Sequence, residues 1–402
     1  MQVDDDDEPN YTNDGGIAEI HSFDGADYQK WIFTNAGDGY YKITSKISGY
    51  AVTVPSGEES EENIDLVLKP YTGSNNQKWK ITLTSYGSYK IKAKSSESIT
   101  DRDLVMVVQT NILYSEGLNI RQRQYSDNTS YKDEWICIRM LPTNGYELAY
   151  DPSAWAGIPS ENNNCCAYAL NNQVREPVGN SIWFKQQPGE YYNNHRGSCA
   201  PIPQGYQSPP SVIVNSVQQD FNKYNSVNGT SLLFTPIGRY KTCPVGTYKV
   251  ALVVSNSDYH WYRQDADGLW SHKRGTTPVK RTDESGELII DPMIADRDDY
   301  STFVGFFAVK PWNNIYNSSK GVTLVSEDVI STTINDTQLS NIQIGMTYSE
   351  VTETLNSKGI DIGSGSIIQQ YRSSGGVLYT FEYASTEVGF IVSKIIIGGE
   401  GK

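Results

Sequence analysis

The sequence predicts a β-rich chain of more than one domain, and three observations carry that prediction. A length of 402 residues exceeds what one ordinary core fills. The 28 Tyr, 8 Trp and 34 Gly are accompanied by no long Leu- or Ala-rich periodic segment. Short alternating segments separated by Gly, Asn, Asp and Ser turns recur over residues 9–150. More strand than helix is expected.

The first third carries an internal repeat. Gln29-Lys30-Trp31 is followed by Tyr41-Lys42-Ile43, and Gln77-Lys78-Trp79 by Tyr89-Lys90-Ile91, with both strings offset by 48 residues. Asp133-Glu134-Trp135 is a third, looser copy. Three copies of a four-strand unit with a buried Trp are what a three-fold β-trefoil needs, each unit giving its Trp to a shared core. There are about eleven strand candidates, one short of a whole trefoil, and the missing one is the opening strand of the first unit. The two Gln-Lys-Trp strings resemble the QxW repeats of ricin B-type lectin domains. The resemblance implies sugar binding through an acid in the first hairpin of each unit, but in Ala51-Val52-Thr53-Val54 that place is held by Thr53. Residues 1–145 are assigned to this trefoil, with a glycan as its expected partner and a spacer or protein-binding module as the alternative.

A net charge of −14, with no Lys/Arg cluster among aromatics, argues against a phosphate-binding surface, so nucleic acid is not an expected partner. No apolar run is long enough to span a bilayer, and Met1-Gln2-Val3 followed by Asp4 to Asp7 and Glu8 carries no apolar signal region. The expectation is a secreted or cell-surface protein whose signal has been trimmed, with a cytosolic protein as the alternative. Five cysteines, Cys137, Cys165, Cys166, Cys199 and Cys243, are too few for a disulfide scaffold, although Cys199 and Cys243 can pair. No Cys or Cys/His cluster has zinc spacing, so neither metal nor cofactor is expected.

Pro142, Pro152, Gly157 and Pro159 mark the entry to a second domain, residues 146–315. Its chemistry centres on Asn162-Asn163-Asn164-Cys165-Cys166-Ala167-Tyr168-Ala169-Leu170-Asn171, where two cysteines open a short helix. A helix N-terminus lowers a thiol's pKa and can hold an oxyanion. The same stretch reads equally as core, because free Cys is among the most buried residue types. Residues 186–210 read as a long loop, and Val214, Val217, Phe221 and Tyr224 then fall at helical spacing. The apolar run Tyr248 to Val254 is a buried strand. Asp258 to Gln264 and Leu269 to Lys273 flank Asp265-Ala266-Asp267-Gly268 and make a hairpin, with Asp265 and Asp267 as turn residues rather than calcium ligands. Two of the four histidines, His260 and His272, lie twelve residues apart on this hairpin and can face one side, one imidazole orienting the other.

The order of Cys, helix, His on a strand and polar partner on the next strand resembles papain-like folds. The His–His pair resembles NlpC-type cell-wall peptidases, and the strings around Cys165 and His260 are similar to a group of secreted bacterial proteins. The resemblance implies a central α+β papain-like domain in which Cys165 is the nucleophile, His260 the base and His272 its orienting partner. Asn164 or Asn163, with the Cys165 N–H, would hold the oxyanion, and Asp291, after a strand from Glu287 to Ile290, is the fallback third member. The implied activity is hydrolysis of an amide bond in a cell-wall peptide or protein. The 95 residues between Cys165 and His260 require an insertion relative to the NlpC pattern. Two alternatives stand beside it: a non-catalytic extracellular glycan- or protein-binding adhesion protein, and a toxin-like deamidase or transferase using the same residues.

Residues 316–338 read as a linker with a strand at Val322 to Val325, and residues 339–402 as a small α+β domain. Thr347 and Glu350 form a capping box, Gly359 ends the helix, and alternating strands follow from Ile367 to Ile397. The opening Ile344-Gly345-Met346-Thr347 resembles SmpA-like and β-lactamase-inhibitor-protein-like modules, which implies binding to proteins or envelope assemblies.

Overall fold

The 48-residue repeat becomes a repeated pattern of hydrogen bonds. Gln29 Nε2 donates to the Ser22 carbonyl (2.7 Å) while its Oε1 accepts from the Asp24 N–H. Gln77 Nε2 donates to the Pro70 carbonyl (2.9 Å) and its Oε1 accepts from the Thr72 N–H. Each glutamine thus closes the loop ahead of its own Trp by bonding two of the loop's backbone groups. The Trp79 indole donates to the Val52 carbonyl and the Trp135 indole to the Met106 carbonyl, both at 2.9 Å, so the looser third copy is built like the second.

The computed structural model describes residues 2–3, 14–85, 87–109, 117–125, 133–156, 163–173, 187–193, 210–310, 333–357, 359–363, 366–386 and 389–398. The chain divides into two compact units, Met1–Arg139 and Met140–Lys402. In the first lie β1 (Gln2–Val3), β2 (Ala18–Ile20), β3 (Trp31–Gly37), β4 (Tyr40–Ser45), β5 (Ala51–Thr53), β6 (Ile64–Asp65), β7 (Val67–Lys69), β8 (Trp79–Leu83), β9 (Tyr89–Ala93), β10 (Leu104–Val108) and β11 (Leu118–Gln124). They form two sheets, β1-β2-β11-β10 with β6 attached to β11, and β7-β5-β4-β8-β9 with β3 attached to β4. Tyr41 pairs with Trp79 and Tyr89 with Trp135, the same closure in successive units. One core of Ile43, Val52, Leu68, Trp79, Ile91, Met106 and Ile120 receives Trp31 and Trp135 at its margin. This is the shared core of a β-trefoil.

The second unit is also mainly strand. β12 (Phe234–Ile237), β13 (Tyr248–Val254), β14 (Tyr259–Gln264), β15 (Trp270–Lys273), β16 (Val279–Lys280) and β17 (Thr302–Val309) form an antiparallel sheet in the order β12-β17-β13-β14-β15-β16. All seven residues of β13 are buried because both faces of the sheet are covered. One face packs against α1 (Cys165–Ala169) and α3 (Pro210–Asn228), whose Ile213, Val217 and Phe221 form the stripe that the helical spacing predicts. The other face carries Leu141, Ile289 and Tyr300. The expected loop over 186–210 contains a short helix, α2 (Glu190–Asn193), because the buried Asp220 accepts from the N–H groups of Gly189 and Tyr192 at its start.

A fourth sheet, β18-β20-β21-β22 with β19 on β20, comes from β18 (Thr333–Ile334), β19 (Ile360–Asp361), β20 (Ile368–Ser373), β21 (Leu378–Thr386) and β22 (Gly389–Gly398). The Thr347–Glu350 capping box opens α5 (Tyr348–Leu355) as expected. The helix stops at Asn356, whose left-handed backbone (φ 48°) does what the sequence reading gave to Gly359. The linker reading is also shortened, since β18 and α4 (Asp336–Ser340) occupy its end. The strand expected at Val322 to Val325 lies outside the described residues.

Candidate functional site

Helix α1 starts at Cys165 because the Asn164 side chain accepts from the Ala167 N–H (3.1 Å), an N-cap. Side chains from the sheet fix its other end. Tyr168 Oη lies 2.7 Å from Ser271 Oγ and accepts from Arg263 Nη2 at 2.7 Å, and Tyr248 Oη donates to the Ala169 carbonyl. Upstream, the buried Lys273 ammonium bridges the carbonyls of Asn163 (2.6 Å) and Gly275 (2.8 Å). A five-residue helix is too short to hold itself, and these bonds supply its position.

The histidines meet. His260 Nε2 stands 2.8 Å from His272 Nδ1, and His272 Nε2 stands 3.1 Å from the Thr282 carbonyl. A carbonyl only accepts, so the network assigns a proton to His272 Nε2. His272 Nδ1 then accepts from the Nε2–H of His260, and the lone pair of His260 falls on its Nδ1. Tyr262 stacks on His272 (5.1 Å) and stands edge-on to His260 (5.0 Å), and Tyr300 lies 5.3 Å from His260.

Burial and the neighbouring His272 hold His260 well below the usual histidine range, and burial takes His272 down to about 4. Both imidazoles are therefore neutral near pH 7. A histidine depressed from 6.5 stabilises the fold fully above 6.5 and loses that contribution as pH falls towards about 4. At ~1.4 kcal/mol per pH unit the window is worth ~3 kcal/mol. In urea unfolding at pH 7.5 and 4.5, His272→Gln should lose less stability across the interval than wild type. Equal losses in the two proteins would remove this role from His272.

Along β14 successive side chains alternate. Tyr259 and Trp261 share a core with Cys165 and Cys166, so His260 leaves the strand on the side of Tyr262 and Tyr300. The two thiols differ in what they influence. Burial raises the phenols of Tyr262 and Tyr300, the two rings beside His260; Glu284 adds to it at Tyr262 and Asp258 at Tyr300, with Cys165 a lesser contributor at both. Cys166 acts, together with Cys165, on Tyr259.

The remaining predicted residues are engaged elsewhere. Asn164 is the cap. Asp291 is buried against Arg239 Nε (2.6 Å) and accepts from the Met293 N–H, and the strand expected before it is reduced to an isolated Thr282–Leu288 bridge. Asp265 does more than turn the chain: it is buried and paired with Arg263. Cys243 is a free buried thiol, and Cys199, its expected partner, lies outside the described residues. Sequence reasoning missed Arg263 and Lys273, two charges on strands whose every residue is buried, and nothing local in the sequence signals that burial. Among the described residues no three His, Cys, Asp or Glu side chains gather as a metal site, and no helix is long and apolar enough to cross a membrane.

In the trefoil, Thr53 is consumed internally, donating to the Ala51 carbonyl and accepting from Gln77 Nε2. Its counterpart in the third unit, one residue after the carbonyl that takes the Trp indole, is the buried Val107. Neither position holds the acid that the lectin resemblance implies. The loops ahead of the two glutamines instead expose one aromatic each, Phe23 (40% exposed) and Tyr71 (36%), again 48 residues apart. The Lys42 ammonium lies 5.0 Å from the Tyr71 ring.

Residues 9–103 match the ricin-type β-trefoil lectin domain-like family. Insoluble matrix shell protein 1 of Ruditapes philippinarum is 56% identical over 63 residues, which are 15% of this chain and 43% of that protein. The chain thus spans less than half the length of that relative. Among solved structures, the designed three-fold symmetric protein ThreeFoil is 30% identical, with 32% of this chain and 84% of that chain covered and a TM-score of 0.28. The Polyporus squamosus lectin, solved bound to a human-type influenza-binding epitope, is 12% identical, with 69% of this chain and 88% of that chain covered and a TM-score of 0.27.

Proposed function

We propose, from the premise that the N-terminal unit is a ricin-B-type β-trefoil, that this protein binds carbohydrate through that unit at or beyond the cell surface. The observation that carries this reading is the repeat itself, which presents Phe23 and Tyr71 at equivalent exposed places. An aromatic face accepts the C–H face of a sugar ring, and a cation beside it can meet the hydroxyls. On a glycan array the full chain should give saturable, sugar-competed binding that falls several-fold in Phe23→Ala/Tyr71→Ala. No binding across a broad panel by folded protein would sink the reading. Binding unaffected by the double substitution would move the site elsewhere on the trefoil.

The second unit is proposed to be a cysteine hydrolase of amide bonds in a peptide or protein, with a papain-like arrangement. The tautomer chain from Thr282 through His272 supports this, because it puts the lone pair of His260 on Nδ1 rather than on the nitrogen bonded to His272. His260 would take the Cys165 proton, the thiolate would attack the carbonyl, and His260 would return the proton to the leaving amine, giving an acyl-enzyme that water hydrolyses. The Cys165 N–H at the helix start would face the oxyanion. The burial of both thiols favours a second reading, a binding protein without catalysis. Alkylation of Cys165 against pH separates the two: fast labelling well below a free thiol's ~8.5, lost in His260→Ala, belongs to the hydrolase.

A further inference from the structure

Cys165, His260 and His272 are 0%, 1% and 3% exposed, so a substrate has no access in the arrangement seen. What sits against the two ends of the histidine hairpin comes from the C-terminal residues of the same unit. After β15, the Thr276 N–H and hydroxyl both donate to the Asp361 carbonyl (2.8 and 3.0 Å). Gly275 lies so close that a Cβ there would stand 2.3 Å from the Asp361 oxygen and 2.7 Å from that of Gly363. Before β14, Ser366 Oγ donates to the Ser257 carbonyl (2.5 Å) and the Ser366 N–H to Asp258 Oδ1 (3.3 Å).

Each grip leads to the candidate site. From Gly275 the path runs through the Lys273 ammonium to the carbonyl of Asn163, two residues before Cys165. From Ser366 it runs through Asp258, whose Oδ2 accepts from Tyr300 Oη (2.8 Å), to the ring packed on His260. We propose that the described C-terminal residues between 333 and 398 are a lid on the Cys165–His260 site, held shut by Asp361 on Thr276 and by Ser366 on Ser257 and Asp258. This rests on the cysteine-hydrolase reading of that site. Hydrogen bonds of this kind at a loop edge belong to the low-stability end of local opening, so a substrate or partner can release them without unfolding the sheet.

The test uses the full chain in three forms: wild type, Thr276→Ala/Ser366→Ala, and Gly275→Val. Hydrogen exchange at the amide of residue 276 reports undocking, and iodoacetamide labelling assigned by mass spectrometry reports access to Cys165. Faster exchange with Cys165 labelling at least ~10-fold faster supports the lid. Faster exchange with unchanged labelling overturns it, as does unchanged exchange in both variants, since these contacts then hold nothing. Where Gly275→Val fails to fold, the double substitution decides. A faster label whose pH profile is that of an ordinary thiol and is indifferent to His260→Ala upholds the lid and rejects the Cys–His pair beneath it.

Discussion

Replacing Cys165 by alanine should reduce thiol-dependent amide hydrolysis by at least ~1000-fold, while Cys166→Ala stays within a few-fold of wild type. The expectation follows from the different positions of two adjacent, equally buried thiols. Both share the core of Tyr259 and Trp261, but Cys165 opens α1 directly after the Asn164 cap, where a helix start favours a thiolate, whereas Cys166 lies one residue into the helix. His260→Ala should match Cys165→Ala, because nucleophile and base act as one unit and their losses do not add. His272→Gln should cost less and shift the pH profile, since it alters the orientation and basicity of His260 without removing the base. A peptide library read by mass spectrometry supplies the rates. A reversed ranking of the cysteines would move the nucleophile to Cys166, and full activity in both single variants would end the hydrolase reading.

How far the sequence alone reaches depends on the range of each contact. The trefoil was legible because its signal repeats: Gln29 and Gln77 make the same bonds, and a period survives even where Asp133 replaces Gln. The hairpin of β14 and β15 was legible from its turn, and α3 and the α5 cap from local spacing. Contacts between residues about a hundred positions apart leave no such trace. Tyr168 meeting Ser271, Lys273 reaching Asn163 and Ser366 reaching Ser257 are of that kind. Asp265 illustrates the limit. Its Asp-Ala-Asp-Gly setting signals a turn, and nothing local says that the turn is buried.

That burial sets the second large effect, a loss of ~3–5 kcal/mol in Asp265→Ala. Arg263 is 2% exposed and Asp265 0%, with Arg263 Nε and Nη2 at 3.2 and 3.0 Å from Asp265 Oδ1. Burial raises the Asp265 carboxyl above the usual range, outweighing the lowering by Arg263. A carboxyl whose folded value lies above its unfolded ~3.9 favours the fold most below the unfolded value and loses that contribution as pH rises through the folded one. At neutral pH the pair is therefore held at a cost. Removing Asp265 alone is still worse, because the guanidinium, stacked 4.1 Å from the Tyr168 ring and bonded to its hydroxyl, keeps its charge in the core without a counter-ion. Asp265→Asn, which keeps an acceptor, should cost less, and Arg263→Met/Asp265→Leu should recover most of the loss by removing both charges. Urea unfolding at pH 7.5 measures all three. The same bonds seat α1, so Asp265→Ala should also disturb Cys165, seen as an altered alkylation rate at urea concentrations far below the midpoint. An Asp265→Ala protein within ~1 kcal/mol of wild type would mean that Arg263 finds water or another acceptor, and that α1 is held by Ser271 and Tyr248 alone.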